Sequence, residues 1–203
     1  MRVRETKLEG VLVVEPRVFA DERGRFWETW NAERYAALGI PGPFVQDNVS
    51  VSKRGVLRGL HYQNPNAQGK LVSVLRGAVY DVAVDLREGS STFGEWVGVE
   101  LSADDGRQVW IPEGFAHGFQ ALCDVPAFSY KCTAPYSPAD ECGLRWDDPA
   151  LGIEWPLDEP VVSPKDAAAP RLVDVPADHL FGNHRCGTAT PANGTHLDQR
   201  EPR

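Results

Sequence analysis

Residues 78–111 read AVYDVAVDLREGSSTFGEWVGVELSADDGRQVWI, and this stretch decides the fold class. Apolar residues alternate with other residues first at Val82, Val84 and Leu86 and again over residues 97–101. A period of two is the period of a β-strand, whose successive side chains point to opposite faces. Residues 104–106 (DDG) supply a turn before the next apolar run, so the stretch predicts strands, the last two joined as a hairpin.

The rest of the chain continues this pattern. Its 19 glycines and 16 prolines fall mainly between short runs of alternating polarity, which predicts an all-β sandwich or barrel. Only residues 31–38 look helical in the first half, with Asn31 placed as an N-cap. Prolines recur through residues 147–176 and forbid long regular elements there, so we expect loops that wrap over the sheets.

The length of 203 residues suits one domain, because no long polar spacer divides the chain. We predict a single domain over residues 1–181. Apolar periodicity ends after Phe181, so residues 182–203 are predicted to be a mobile tail. His184 and His196 are then solvated tail residues, and we attribute the glycosylation triplet that begins at Asn193 to chance.

The composition excludes several classes of function. A formal charge of -8 opposes binding to nucleic acid or to an anionic membrane, since both favour a basic surface. The four cysteines form no CxxC pair and are predicted to be reduced thiols. The start of the sequence has no apolar leader, and no run approaches the ~18 apolar residues of a membrane span. We therefore expect a cytoplasmic protein.

Two histidines are candidates for chemistry. His61 shares a predicted strand with Arg58, and Lys70 follows shortly after. His117 alternates with Phe119, so its side chain should point inward. A purely structural role stays open for each histidine. Cupin barrels that bind a metal need a His-x-His pair, which this sequence lacks, so we predict no metal, with His61 free to act as a base.

An acid and an orienting group are also present. Asp166 lies in a proline-fixed loop and offers a carboxylate that would hold the tautomer of His61, although a solvated turn residue is an equal alternative. Tyr130 shares a strand face with Phe128 and Cys132, so it can point into a barrel. A core phenol that bonds to the backbone stays open for Tyr130.

Six segments occur in an order that is specific to one family. They are 21–28 (DERGRFWE), 57–63 (LRGLHYQ), 68–90 (QGKLVSVLRGAVYDVAVDLREGS), 93–96 (FGEW), 111–119 (IPEGFAHGF) and 130–138 (YKCTAPYSP). Together they resemble the dTDP-4-dehydrorhamnose 3,5-epimerase family, from about residue 7 to residue 181. The resemblance implies a metal-independent cupin-type jelly-roll barrel with a few short peripheral helices, and a homodimer that exchanges strands.

The resemblance also assigns roles. The substrate would be a dTDP-linked 4-keto-6-deoxy sugar, inverted at C3 and C5 in dTDP-L-rhamnose biosynthesis, and the reaction would need no cofactor. The family's base falls on His61, the aspartate that orients it on Asp166, the opposing acid on Tyr130, and the tyrosine that stacks on thymine on Tyr136. Its other substrate-binding positions fall on Arg23, Phe26, Glu28, Gln46, Asn48, Arg58, Lys70, His117, Glu141 and Lys165.

The chemistry of these residues suits the implied reaction. Arginines offer forked donors to a diphosphate, and Lys70 with His117 would stabilise an enolate oxygen. One geometric conflict remains, because Arg58 and His61 are three residues apart and a regular strand sends them to opposite faces. A bulge, a strand end or the dimer partner must reconcile them.

Three rival functions stay open. An epimerase that inverts only one carbon would use the same base and acid. A non-catalytic cupin that binds a nucleotide sugar or a protein would keep the arginines and Tyr136 but would need none of His61, Tyr130 and Asp166. A metal-dependent cupin oxygenase is opposed by the missing ligands.

Overall fold

The computed structural model describes residues 1–182. Almost all of the predicted tail, including His184, Asn193 and His196, lies outside the described residues.

Within residues 1–182 the chain forms 13 β-strands and two short α-helices. The strands are β1 (Arg2–Glu5), β2 (Leu12–Glu15), β3 (Phe19–Asp21), β4 (Gly24–Phe26), β5 (Gln46–Val51), β6 (Leu57–Gln63), β7 (Lys70–Arg76), β8 (Ala78–Asp85), β9 (Trp96–Ser102), β10 (Gln108–Ile111), β11 (Phe115–Ala121), β12 (Ala127–Cys132) and β13 (Glu141–Gly143). The helices are α1 (Ala32–Ala36) and α2 (Pro164–Ala167), and two 3₁₀ turns follow at Leu172–Asp174 and Ala177–His179.

Two antiparallel sheets dominate the molecule. One has six strands in the order β1-β2-β10-β7-β12-β5, and the other has five in the order β13-β6-β11-β8-β9. Strands β3 and β4 form a separate two-stranded ribbon. The all-β prediction is therefore confirmed.

Strand β8 explains how the alternation in residues 78–86 builds the core. Val79 and Ala83 pack between the sheets with Val72, Phe119 and Phe128, all of them buried. The alternate side chains Tyr80, Val82 and Val84 point to the outer face of the five-stranded sheet. Burial of each large apolar side chain is worth about 1.5–3 kcal/mol, so both faces of this strand stabilise the fold.

The outer face of the five-stranded sheet is covered by the proline-rich segment. Val82 and Val84 pack there against Leu151 and Trp155 from residues 147–176. The prediction that this segment wraps over a sheet, without long regular elements, is confirmed.

The predicted first helix is confirmed in a shorter form. Helix α1 begins after Asn31, whose side chain accepts a hydrogen bond from the Arg34 amide. Tyr35 fixes the helix on the six-stranded sheet beside Trp110. Within residues 1–182, no helix has the length and apolar character needed to cross a membrane.

The predicted hairpin of β9 and β10 is wrong. Strand β9 pairs with β8 in the five-stranded sheet, whereas β10 pairs with β2 and β7 in the other. The turn at residues 104–106 is present, but it carries the chain from one sheet to the other. Turn residues signal a change of direction and leave open which strand will be the hydrogen-bonding partner.

A bulge resolves the conflict between Arg58 and His61. His117 and Phe119 of β11 pair with His61 and Arg58 of β6. The two residues on β11 are two positions apart and their partners on β6 are three positions apart, so β6 contains one extra residue. The extra residue lets both side chains reach the same cleft. Gly59 sits at this point with φ +131, and Gly118 of β11 passes close to it.

Gly59→Ala is expected to lower the free energy of unfolding by at least about 2 kcal/mol, because an L side chain is strained at this φ and its Cβ would have no room. The added Cβ would lie 2.5 Å from the Gly118 Cα. Gly143→Ala on neighbouring β13 is the matched control, since its Cβ would meet nothing nearer than 3.5 Å. Urea denaturation of both variants measures the difference, and equal midpoints would contradict the expectation.

Candidate active site

A cleft of about 740 Å³ opens between the two sheets. It continues into a smaller polar cleft of about 320 Å³. His61, Lys70, Tyr130 and Glu141 line both parts. These four residues therefore stand where the two compartments meet.

Most of the site residues predicted from the sequence come together around these clefts. The larger one is lined by Arg58, His61, Lys70, His117, Tyr130, Glu141, Lys165 and Asp166. The smaller one adds Gln46, Asn48 and Tyr136. Strands from both sheets and helix α2 contribute these side chains, although they are far apart in sequence.

Three predicted residues lie elsewhere on the molecule. Arg23 and Phe26 belong to the β3–β4 ribbon, where Arg23 bonds to Asp21 and Phe26 is 71% exposed. Glu28 pairs with Arg34 of α1. None of the three lines the cleft of its own chain.

His61 and Asp166 form a close pair, although 105 positions separate them in the sequence. The His61 Nε2 atom lies 2.7 Å from Asp166 Oδ1. Because a carboxylate can only accept, the proton between them belongs to Nε2, which leaves His61 Nδ1 as the ring atom able to take a proton. The predicted contact is present in the structure, and a solvated Asp166 is excluded because this residue is 5% exposed.

The local sequence fixes Asp166 in place. Ser163 caps helix α2 by accepting from the Asp166 amide at 3.1 Å, and Pro164 starts the helix. The Gly59 amide donates to Asp166 Oδ2 at 3.5 Å. Burial alone would raise the pKa of Asp166, but its hydrogen bonds to His61 and Gly59 outweigh burial and lower the pKa below its usual value. The group is therefore a carboxylate at neutral pH.

Tyr130 projects from β12 of the six-stranded sheet, across the cleft from the histidines of the five-stranded sheet. Its ring packs near Phe128, with centroids 5.9 Å apart. Its hydroxyl has no hydrogen-bond partner among the side chains and backbone of residues 1–182, so the alternative of a core phenol bonded to the backbone is not found. Burial raises the pKa of Tyr130, which keeps the hydroxyl protonated and able to donate a proton.

Lys70 is the buried cation of the site. It is 8% exposed, and its Nζ donates to the His61 carbonyl oxygen at 3.3 Å. Burial lowers the pKa of the Lys70 ammonium. A cation beside the proposed base can stabilise negative charge that develops on a bound ligand.

The smaller cleft is a polar network built around Glu141. The Tyr136 hydroxyl donates to Glu141 Oε2 at 2.8 Å, and Lys165 forms an ion pair with the same oxygen. Burial would raise the pKa of Glu141, but the hydrogen bonds from Lys165 and Tyr136 lower it. The Tyr136 ring is 51% exposed and is free to stack on a planar ligand.

Sequence reasoning missed three residues that hold this site together. Asp81 bonds to His117 Nε2 at 2.8 Å, Ser163 caps the helix that carries Asp166, and Gln63 accepts from the Ser137 amide beside Tyr136. Asp81 could have been found, because a charged residue inside a strand buried on both faces needs a partner. Ser163 follows the N-cap pattern, whereas nothing local marks Gln63.

Within the part of the chain that the structure describes, no three side chains of the types His, Cys, Asp and Glu come together as a metal site would require. The expectation of a metal-independent and cofactor-independent site stays a prediction.

Comparison with known proteins places this geometry in a family. The family model for dTDP-4-dehydrorhamnose 3,5-epimerase matches residues 5–174. The chain is 55% identical over 175 residues to a dTDP-4-dehydrorhamnose 3,5-epimerase of Salmonella typhimurium, which covers 85% of this chain and 96% of the relative. It is 43% identical over 176 residues to a dTDP-4-dehydrorhamnose 3-epimerase of Streptomyces niveus, covering 86% of this chain and 85% of the relative.

A solved structure agrees with these matches. The dTDP-6-deoxy-D-glucose-3,5-epimerase of Legionella pneumophila Philadelphia 1, in complex with dTDP-4-keto-L-rhamnose, superposes with a TM-score of 0.86. It is 54% identical, and the match covers 88% of this chain and 96% of that one.

The fold and the site thus define a class, that of isomerases that epimerise a carbohydrate on a cupin-type jelly-roll barrel, as the resemblance implied. Within it, the chain belongs to the dTDP-4-dehydrorhamnose 3,5-epimerase family.

Proposed function

We propose that this enzyme inverts both C3 and C5 of dTDP-4-dehydro-6-deoxy-D-glucose, in dTDP-L-rhamnose biosynthesis. One observation carries the proposal: the His61–Asp166 pair on one sheet faces Tyr130 on the other sheet across a single cleft. Inversion of a carbon needs a base on one side and an acid on the other, and this arrangement supplies both.

The reaction follows from the acidity of a hydrogen beside a ketone. His61 Nδ1 takes the proton from the carbon next to C4, the C–H electron pair forms a carbon–carbon double bond, and the carbonyl electrons move to oxygen as an enolate. Tyr130 then gives its proton to the opposite face of the same carbon, while the C4 ketone re-forms. Asp166 stabilises the protonated His61 throughout. No electron leaves the substrate, so no redox partner is needed.

The remaining residues divide between charge stabilisation and binding. Lys70 lies beside His61 and would hold the enolate oxygen. Arg58 suits the diphosphate because its guanidinium is a fork of donors. Tyr136 would stack on thymine, with Gln46, Asn48, Glu141 and Lys165 around it.

A hydrogen-exchange experiment in D₂O tests this function. Purified protein is incubated with dTDP-4-dehydro-6-deoxy-D-glucose in D₂O, and NMR reads deuterium and configuration at C3 and C5. Deuterium at both carbons with inversion at both supports the double epimerase. No exchange at either carbon would refute catalysis and favour the non-catalytic binding cupin.

A single-carbon epimerase is the second candidate, because the Streptomyces niveus relative is a 3-epimerase. The same experiment separates the two functions. Deuterium and inversion at one carbon only would replace the first proposal by the second.

We also propose a homodimer that exchanges strands, in which the partner completes each cleft. The support is that Arg23, Phe26 and Glu28 lie away from their own cleft, with Phe26 largely exposed. Strand β5 is also an edge strand beside the cleft, with Val49 and Val51 exposed. An uncovered apolar edge of this kind favours pairing with another chain.

Mixing two inactive variants tests the shared site. Arg23→Ala and His61→Gln are each expected to have little activity, whereas mixed dimers regain activity because one of their clefts has both residues intact. Light scattering checks that each variant is a dimer. A monomer, or no regain of activity after subunits have exchanged, would refute the shared site.

We also propose that residues 1–181 form a single domain and that the protein is cytoplasmic. The single domain over residues 1–181 is supported by the continuous sheets described above. The cytoplasmic location is supported by the named activity of the relatives, which act on a nucleotide sugar.

A further inference from the structure

Asp81 is a buried charge without a role in the mechanism above. It lies on β8 and is 2% exposed, and its Oδ2 atom lies 2.8 Å from His117 Nε2. An isolated carboxylate in such a place is strongly unfavourable, so the contact with His117 ties Asp81 to the site.

The register of three adjacent strands creates a second histidine–carboxylate pair beside the first. His117 on β11 lies directly opposite His61 on β6 and opposite Ala83 on β8. Asp81 is paired with Phe119, so it is the diagonal neighbour of His117 on the same face. Two imidazoles thus stand side by side at the cleft, each with its own carboxylate, but only His61 faces a reacting carbon in the proposed mechanism.

The surroundings of His117 fix its orientation. Asp81 holds Nε2, and the Phe128 ring stacks on the imidazole with centroids 6.1 Å apart and an interplanar angle of 18°. Nδ1 makes no hydrogen bond within residues 1–182. Within that part of the chain, the fully buried side-chain polar atom that lacks a hydrogen-bond partner is the Tyr62 hydroxyl. Since His117 Nδ1 also lacks a partner, it is not fully buried, and it keeps access to the cleft that His117 lines.

The protonation state follows from these contacts. As a carboxylate, Asp81 can only accept, so Nε2 carries a proton. Burial lowers the pKa of His117, although Asp81 acts in the opposite direction. A neutral imidazole has one ring proton, and with that proton on Nε2 the Nδ1 atom presents a lone pair to the cleft.

We propose that Asp81 is a positioning residue that holds His117 as the Nε2–H tautomer, so that His117 Nδ1 accepts a hydrogen bond from a hydroxyl of the bound sugar. This inference rests on the proposed function. It changes the role expected for His117, because a lone pair repels an enolate oxygen. Lys70 is then the group that stabilises the enolate, while His117 orients the sugar ring between His61 and Tyr130.

Asp81→Asn tests the positioning role through kinetics. The amide can donate to Nε2 and so favour the other tautomer. We expect kcat to fall by about 10–100-fold, the range typical of groups that orient a functional histidine. The Kd for dTDP, which lacks the deoxyhexose that would contact His117, should stay at the wild-type value.

Asp85→Asn is the matched control. Asp85 lies on the same strand and is fully buried, but its carboxylate bonds to Arg87, Ser90 and Thr92. This variant should lose stability and keep the wild-type kcat. If Asp81→Asn and Asp85→Asn have the same kcat, Asp81 is only structural and the proposal fails.

Nitrogen-15 NMR of the His117 ring tests the tautomer directly. We expect a protonated Nε2, an unprotonated Nδ1, and a shift of the Nδ1 resonance when dTDP-6-deoxyglucose is added, since this sugar has hydroxyls but no ketone. A proton on Nδ1 in the wild type, or no shift with the ligand bound, would overturn the proposal. Because this ligand does not react, the result is independent of whether the enzyme epimerises its proposed substrate.

Discussion

Replacing His61 by glutamine is expected to lower kcat by about 10³-fold and to abolish deuterium incorporation at both C3 and C5. Glutamine keeps a polar side chain of similar length, but it has no nitrogen basic enough to take a proton. One base can serve both carbons, because the hydrogens at C3 and C5 of a gluco-configured chair are axial on the same face. NMR in D₂O, with the substrate in excess, measures both losses in a single experiment.

His179→Gln is the matched control for this prediction. His179 is exposed in the 3₁₀ turn Ala177–His179 and lines neither cleft. It should retain full activity, and both variants should unfold at wild-type temperature. Exchange that continues at one carbon in His61→Gln would mean that a second base acts there, and exchange at both carbons would exclude His61 as the base.

The fold class could be predicted because the alternation of apolar and polar residues along a strand is a local property of the sequence. The alternation at Val82, Val84 and Leu86 predicts a strand, and the structure shows that strand with one face between the sheets and the other under residues 147–176. Which strands pair could not be predicted in the same way. The turn at residues 104–106 carries the same local signal whether it closes a hairpin or, as here, joins two sheets.

The identity of the site residues could be predicted where a sequence motif contains them. The contacts between those residues could not, because they depend on how the strands are aligned. The contact between His61 and Asp166 joins residues 105 positions apart, so the residues alone left a solvated Asp166 as an equal alternative and the family resemblance decided between the two. The bulge at Gly59 was named as one of several solutions, but its place depends on how β6 is aligned with β11.

The predicted site residues that lie outside the cleft show another limit of prediction from sequence. Arg23, Phe26 and Glu28 were assigned to the substrate site by motif, and a single chain leaves them apart from it. A sequence motif does not indicate whether a side chain binds in the cleft of its own subunit or in that of a partner subunit. Residues that act across an interface therefore look like ordinary surface residues until the assembly is known.

Replacing Tyr130 by phenylalanine is expected to separate proton removal from inversion. His61 and Asp166 remain intact, so the enolate still forms and deuterium still enters from the His61 side. Delivery of a proton to the opposite face should fall by about 10²–10³-fold, because the group that holds that proton is gone. The ring itself is kept, and its packing near Phe128 should hold the shape of the cleft.

The measurement is the ratio of deuterium incorporation to inversion at each carbon, with Tyr80→Phe as control. Tyr80 packs on the outer face of the five-stranded sheet against Trp155, away from the cleft, and its variant should keep the wild-type ratio. A high ratio at both carbons in Tyr130→Phe means that Tyr130 is the acid for both. A high ratio at one carbon assigns Tyr130 to that carbon and water to the other, since the two protonations are separate steps. Wild-type inversion at both carbons would show that another proton donor is the acid and would remove Tyr130 from the mechanism.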